Sequence, residues 1–361
     1  MLLQTRYLLS SLKSIFNVAL QIKATGTKFA MELPLHTKSE INADKYEGLW
    51  NLNPTLEVHE SGFSLYCRST NARFIPSANL KGEMKLEKIG TGVRNQTFKL
   101  LVNREFEIQD QEIIISLESK QSFEDPRFVA DDETRLLIGT VVVGDPEVSN
   151  VAWETKVGIY DIGTDKLSLI KSPINRRFEK NWVPISVANG VVKILHSNNP
   201  QIILDVNSHN GEILDVQYGK ASNFLSLNGG SQFLSIQEEN LYIRVARKRY
   251  TFWRLGTIHL NYLLIHDSNL EEVHCSRPFI FSKFGFEICN GLGVDPDGKL
   301  VFSWGEDDSR MFVGSMPLNQ ALAWIESNSF NKGKFANMRV IFRFLKLASI
   351  ASKKYSPSGI V

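Results

Sequence analysis

Trp182-Val-Pro-Ile-Ser-Val-Ala-Asn-Gly-Val-Val-Lys-Ile-Leu-His196 reads as two short strands around Asn189-Gly190. Its flanks carry the β-branched and aromatic residues that fit a pleated surface. Asn-Gly turns the chain tightly because both residues accept positive φ at low cost. The same pattern occurs four more times. Asn53–Val58 and Phe63–Arg68 flank His59–Gly62; Asp125–Ala130 and Arg135–Val141 flank Asp131–Thr134. Ser231–Ile236 and Leu241–Ala246 flank Gln237–Asn240; Ile288–Val294 and Lys299–Trp304 flank Asp295-Pro-Asp-Gly298. The second strands begin near Phe63, Leu136, Val191, Leu241 and Leu300, at intervals of 73, 55, 50 and 59 residues. That is the spacing of four-stranded units, with Lys156–Tyr160, Ile202–Val206 and Tyr262–His266 as further strands. The pattern predicts an all-β, five-bladed β-propeller. A pair of β-sandwiches is the rival architecture, but no linker divides the chain.

The expected boundaries are a basic N-terminal segment, 1–45, the propeller, 46–316, and a helical basic extension, 317–361. Leu318–Ser327 reads as an amphipathic helix after Pro317. Phe335–Ser352 reads as another, with Phe335, Met338, Phe342 and Leu345 on one face.

The chain of 361 residues is 43% hydrophobic and 22% charged, an ordinary globular composition. Met1–Met31 and Asn331–Val361 carry basic residues and no acidic one, so the body between them is net acidic. Such a body excludes nucleic acid as a partner, because phosphate contacts need basic surface. The tails would suit weak contact with an anionic membrane, unless the apolar face of the last helix packs on the propeller. Three cysteines, Cys67, Cys275 and Cys289, are odd in number and lack C-x-x-C spacing, so buried free thiols in a reducing, cytoplasmic compartment are expected. No stretch is apolar enough to span a bilayer. The histidines show no metal-binding spacing, and Gly90-Thr-Gly92 and Gly291-Leu-Gly293 are too short for dinucleotide fingerprints. Neither a metal nor a cofactor is expected.

If the first strand of each hairpin lines the central channel, its start lies at one mouth, together with the end of the second strand. Blade one places Asn53 and Arg68 there, and blade two Glu124, Asp125 and Arg127. Blade three brings Lys180, Asn181, Trp182 and His196, and blade four Asn228 and Arg247. Blade five adds Glu287, Asn290, Asp307, Asp308 and Arg310. Carboxylates, cations and an aromatic ring in a concave site suit a carbohydrate, with cations for a phosphate group. Each residue also has a structural reading: a turn cap for Asp125, an interblade ion pair for Arg127, blade packing for Trp182, and a hydrogen-bonded core histidine for His196.

Phe123-Glu-Asp-Pro-Arg127 resembles the E-D-P-R signature of the β-mannoside phosphorylases and hydrolases, glycoside hydrolase family 130. Asn53-Pro-Thr55 with Tyr66-Cys-Arg68 is similar to that family's N-P-S/T and Y-x-R pair. Phe286–Leu292 and Trp304–Arg310 resemble its closing E-x-x-x-G and Y-G-x-x-D. Glu179-Lys-Asn-Trp-Val-Pro184 and Asn228-Gly-Gly-Ser231 resemble K-N-W-x-P and G-G-T/S segments of a related branch associated with polysaccharide biosynthesis. The resemblance implies an enzyme acting on a glycosidic bond, with Asp125 as general acid through a sugar hydroxyl. It implies phosphate contacts from Arg68, Arg127 and Lys180. Glu287 and Asp308 complete the expected catalytic carboxylates, and Asn53, Glu124, Asn181, Trp182, His196 and Arg310 the expected substrate contacts. The middle blades do not reproduce the phosphorylase phosphate set. A glycosyltransferase using a sugar-phosphate donor, and a carbohydrate-binding propeller without catalysis, are therefore the alternatives.

Overall fold

The computed structural model describes residues 30–43, 49–76, 84–89, 95–116, 121–143, 154–174, 176–219, 227–236, 239–252 and 256–329. They form five sheets, antiparallel but for one short parallel pair, arranged as the blades of a propeller. Blade one runs outward through Trp50–His59, Gly62–Thr70, Asn95–Asn103 and Ile108–Ser116. Blade two follows with Gln121–Ala130, Arg135–Val143, Glu154–Asp161 and Lys166–Leu169. Blade three contains Val183–Ala188, Val191–Asn198, Gln201–Asn207 and Ile213–Tyr218. In blade four, Leu234–Ile236, Leu241–Phe252 and Gly256–His266 lead to Glu272–Cys275 and Phe279–Ile280, which both pair with Gly256–His266. Blade five consists of Glu287–Val294, Lys299–Glu306 and Arg310–Pro317.

The five hairpins expected from the turn chemistry are the first two strands of the five blades. The long first interval comes from an extra hairpin, Ala72–Pro76 with Met84–Lys88, inserted after the second strand of blade one.

The propeller starts before residue 46. Thr37–Glu40 pairs with Arg310–Pro317 as the outermost strand of blade five, and Met31–Glu32 pairs in parallel with Phe279–Ile280 in blade four. Sequence alternation over so few residues is too weak to reveal these strands. They fill the outer edges of the last two blades and join the beginning of the ring to its end.

Apolar clusters lie between successive blades. Tyr66, Phe123 and Phe128 fill the space between blades one and two, and Val183, Leu195 and Phe233 that between three and four. Between four and five, Phe281, Trp304 and Phe312 stack at centroid distances of 4.5 and 5.4 Å. Each fully buried aromatic contributes roughly 1.5–3 kcal/mol. The helix Leu318–Ser327 buries Ala321 and Ile325 against this last cluster, so it packs on the propeller. Cys67, Cys275 and Cys289 are free and buried. Among the described residues no helix is long and apolar enough to cross a membrane. The helix expected over Phe335–Ser352 lies outside the described residues, as do residues 1–29 and 330–361 of the two basic tails.

Candidate functional site

The inner strands slip register near their starts. The slips fall at Asn53-Pro54 in blade one, at Asp125-Pro126 in blade two, at Ile185 in blade three and at Asn290 in blade five. A bulge releases a residue from the ladder and re-aims its side chain. Pro54 and Pro126 fit there because proline has no N–H to give to the ladder. Asn53 and Asp125 are left-handed, with φ of 52° each, and Asn181 has φ of 64°. Blade four reaches the same level through Asn228, bridged to Arg247, and the left-handed Gly229 and Gly230. Only glycine fits at Gly230: a Cβ there would lie 1.9 Å from the Val245 carbonyl oxygen.

These bulges bring a charged cluster together. The Asn53 amide donates to Asp125 Oδ1 at 2.8 Å. Arg68 Nη2 lies 2.9 Å from Glu124 Oε1, and Nη1 lies 3.9 Å from Asp125 Oδ1. Arg68 Nε donates to Asn95 Oδ1 at 3.1 Å, while Asn95 Nδ2 donates to Glu124 at 3.2 Å. Asp308, with φ of 47°, supports the charged state of both Arg68 and Arg247, and Lys180 that of Glu124. Arg247 Nη2 donates to Asn181 Oδ1 at 2.8 Å. Its Nη1 is buried without a hydrogen-bond acceptor among the described residues.

The two neighbouring carboxyls are displaced in opposite directions. Burial pushes Glu124 up, with Arg68 and Lys180 opposing. Burial also acts against the charge on Asp125, but Arg68, the Asn53 amide, Arg247 and Arg127 outweigh it and hold Asp125 below the ordinary range. Such divergence separates roles within a pair of acids. The Asp125 carboxylate is therefore held in its ionised form at neutral pH. Direct protonation of this carboxylate is disfavoured by the same groups.

Asn53, Arg68, Glu124, Asp125, Lys180, Asn181 and Asp308 thus belong to one cluster. The remaining predicted residues do not face it as expected. Arg127 is 1% exposed and lies beneath it, donating to the carbonyls of Gly230 (2.6 Å) and Asp125 (3.0 Å) and to Asn290 Oδ1 (3.2 Å). It ties blades two, four and five together instead of presenting a guanidinium to phosphate. Trp182 is 3% exposed and packs among Val129, Ile138 and Ile159, so its ring offers no face to a sugar. His196 lies against Trp182 at 4.6 Å, with Nε2 3.7 Å from Glu179, and burial pulls its pKa down. Glu287 is wholly buried and turned away from the axis, accepting from the backbone N–H groups of Phe281, Ser282 and Lys283 at 2.8, 2.8 and 3.0 Å. Burial pushes its pKa up to about 7 despite those donors. It fixes a loop and is not placed for catalysis. Arg310 pairs with Glu306 at 2.8 Å and lies over Phe312, on the outer part of blade five.

Sequence reasoning placed Arg247 at the mouth without giving it a role, and it did not select Asn95. Asn95 starts the third strand of blade one opposite Thr70. Antiparallel pairing places third-strand starts at the mouth as well, a signal available from the strand order.

No family model and no curated protein matches the sequence. Solved structures match its fold. A mannose phosphorylase from Leishmania mexicana, in complex with phosphate ion, is 12% identical with a TM-score of 0.54, over 85% of this chain and 94% of that one. A GDP-Man-dependent mannosyltransferase from the same organism is 12% identical with a TM-score of 0.52, over 78% and 89%. The chain has the fold of these enzymes. A β-1,2-mannobiose phosphorylase from Listeria innocua, in complex with β-1,2-mannobiose, is also similar, at 12% identity and a TM-score of 0.50 over 82% and 95%. The five-bladed fold is thus shared with two phosphorylases and a transferase.

Proposed function

We propose that this propeller is a carbohydrate-active enzyme that exchanges a glycosidic bond for a bond to phosphate. The observation carrying this reading is the ionised Asp125, held by Asn53 and Arg68, close to Arg247 with its unpartnered buried nitrogen. A buried donor without a partner costs about 1–3 kcal/mol, and an anionic ligand oxygen offsets that cost. The fold shared with enzymes named for mannobiose, phosphate and GDP-Man supports a mannose-type sugar.

In the bond-making direction an acceptor hydroxyl loses its proton to Asp125 while its oxygen attacks the anomeric carbon. The bond from that carbon to the phosphate oxygen breaks, and the phosphate leaves with the electron pair towards Arg247. In the reverse direction the proton held on Asp125 returns along the same path to the glycosidic oxygen, whose bond to the anomeric carbon breaks as phosphate attacks that carbon. Arg68 and Asp308 orient the groups around it. Inorganic phosphate and the phosphate of an activated donor would place the same anion at Arg247.

The test is incubation with β-linked manno-oligosaccharides, with and without phosphate, and with mannose 1-phosphate or GDP-mannose plus an acceptor sugar. The expected result is turnover that requires phosphate or consumes a phosphorylated donor. Equal hydrolysis without phosphate, or no turnover in any mixture, would overturn the proposal.

A further inference from the structure

The hairpin of blade four extends beyond the mouth. Its paired strands continue past Arg247 and Asn261 to Phe252 opposite Gly256. Alternation along a strand places Arg249 on the same face as Arg247, about 6.6 Å further out. Both guanidiniums act on His259, which faces Arg249 across the hairpin and is held well below its ordinary range, chiefly by burial. His259 therefore supplies no opposing negative charge. The carboxylates that support Arg247 are Asp125 and Asp308, both at the inner end of this line. Arg249 is exposed and makes no ion pair among the described residues. Two cations thus stand in file, and the nearest carboxylate on the rim loop, Asp307 beside Gly285, is paired with Lys283.

A rim loop lies against the same hairpin. The His259 N–H donates to the Gly285 carbonyl at 2.8 Å, and the His259 ring packs on Phe286 at 4.3 Å. Glu287 fixes the loop from below through the N–H groups of residues 281–283. The loop presents Phe284, whose ring is 52% exposed although large apolar side chains are otherwise mostly buried. An exposed aromatic residue on the loop that bonds to this hairpin is a platform for a base carried on a phosphate chain.

We propose that Arg249 and Phe284 form a subsite beyond the mouth that binds a nucleoside diphosphate, the leaving part of an activated sugar donor. The proposal rests on the reading of Arg247 as a phosphate contact. One phosphate lies at Arg247, the second at Arg249, and the base on Phe284. Inorganic pyrophosphate shares the two charges without the base, so the pair of ligands separates the two parts of the subsite.

The experiment measures binding of orthophosphate, pyrophosphate and GDP to the full chain by calorimetry at fixed ionic strength. Folding of each variant is checked by thermal melting. GDP is expected to bind more tightly than pyrophosphate, and pyrophosphate more tightly than orthophosphate. Arg249→Gln should weaken pyrophosphate and GDP about tenfold or more, as loss of a charge-assisted contact does, and leave orthophosphate within twofold. Arg249→Lys should restore part of the loss. Phe284→Ala should weaken GDP about tenfold and leave pyrophosphate unchanged. If Arg247→Gln abolishes orthophosphate binding while Arg249→Gln leaves all three affinities unchanged, the subsite alone is refuted. If orthophosphate binds equally well without Arg247, or not at all to the unaltered protein, the mouth has been misread and both proposals fall.

Discussion

Asn53 and Asp125 adopt the same uncommon conformation in adjacent blades. Each is left-handed, each precedes a proline, and their side chains bond to one another. Residues before proline are normally driven to extended backbone, so both positions carry strain that the surrounding ladders must hold. Strain of this kind gathers where a side chain must point in one direction. Asp125→Asn keeps an acceptor oxygen for Asn53 and removes the charge. Turnover should fall about 10²- to 10⁴-fold with the circular dichroism spectrum unchanged; near-normal turnover would remove Asp125 from the mechanism. Glu287 affords a second test. Folded protein keeps its proton up to about pH 7, whereas the ordinary value is 4.5. The folded state thus binds more protons than the unfolded chain between these limits. Stability should fall by roughly 3 kcal/mol as pH rises across that window, then level off. Urea unfolding of Glu287→Gln at pH 5, 6, 7 and 8 should lack this slope. Asn53, Glu124 and Asp125 were legible in the sequence because motif and turn chemistry place them near first-strand starts, and Arg68 because it ends a second strand. Glu287 and Trp182 stand at the same level along their strands but point into the protein. The direction of a side chain beside a bulge depends on packing between blades, which one sequence does not display.

At the scale of single elements, the hairpins were readable because each couples β-branched runs to a turn with its own chemistry, such as Asn189-Gly190 or Asp295-Pro-Asp-Gly298. The register slips were not, since a bulge differs from a regular strand by one residue and both conserve composition. The short inner strand of blade four, Leu234–Ile236, shows the limit: the expected strand began at Ser231, but the preceding residues leave the ladder. Instead Ser231 N–H donates to the Val245 carbonyl at 3.0 Å and Phe233 N–H to the Pro184 carbonyl at 3.0 Å. Gly230 makes this approach feasible. Gly230→Ala combines a strained φ of 102° with collision against backbone. The loss should be roughly 3 kcal/mol or more, read as a lower urea midpoint. An unchanged midpoint would mean that this segment relaxes without cost.

For the whole molecule, closure of the ring is the decisive event, and it depends on strands taken from the N-terminal part of the chain. Thr37 Oγ1 and Ser315 Oγ lie 2.7 Å apart across 278 positions of sequence, alongside the backbone pairing of their strands. Leu33 is buried in the cluster between blades four and five. Two shortened chains, one starting at Ala30 and one at Ile41, isolate the contribution of these strands. The one starting at Ile41 should melt several degrees lower than the other and form soluble oligomers in size-exclusion chromatography, because the edge of Arg310–Pro317 is left open to foreign strands. Equal melting of the two would show that closure contributes little. This clasp was hidden in the sequence because its strands are two and four residues long and mostly exposed.

The same clasp orders events during synthesis. Residues 31–40 leave the ribosome before any blade, yet their partners in blades four and five are made last. The growing chain can stack its blades in sequence but must carry its fastener unengaged until translation of residue 317. Interruption late in synthesis therefore leaves a nearly complete protein with an open seam, the form most in need of a chaperone.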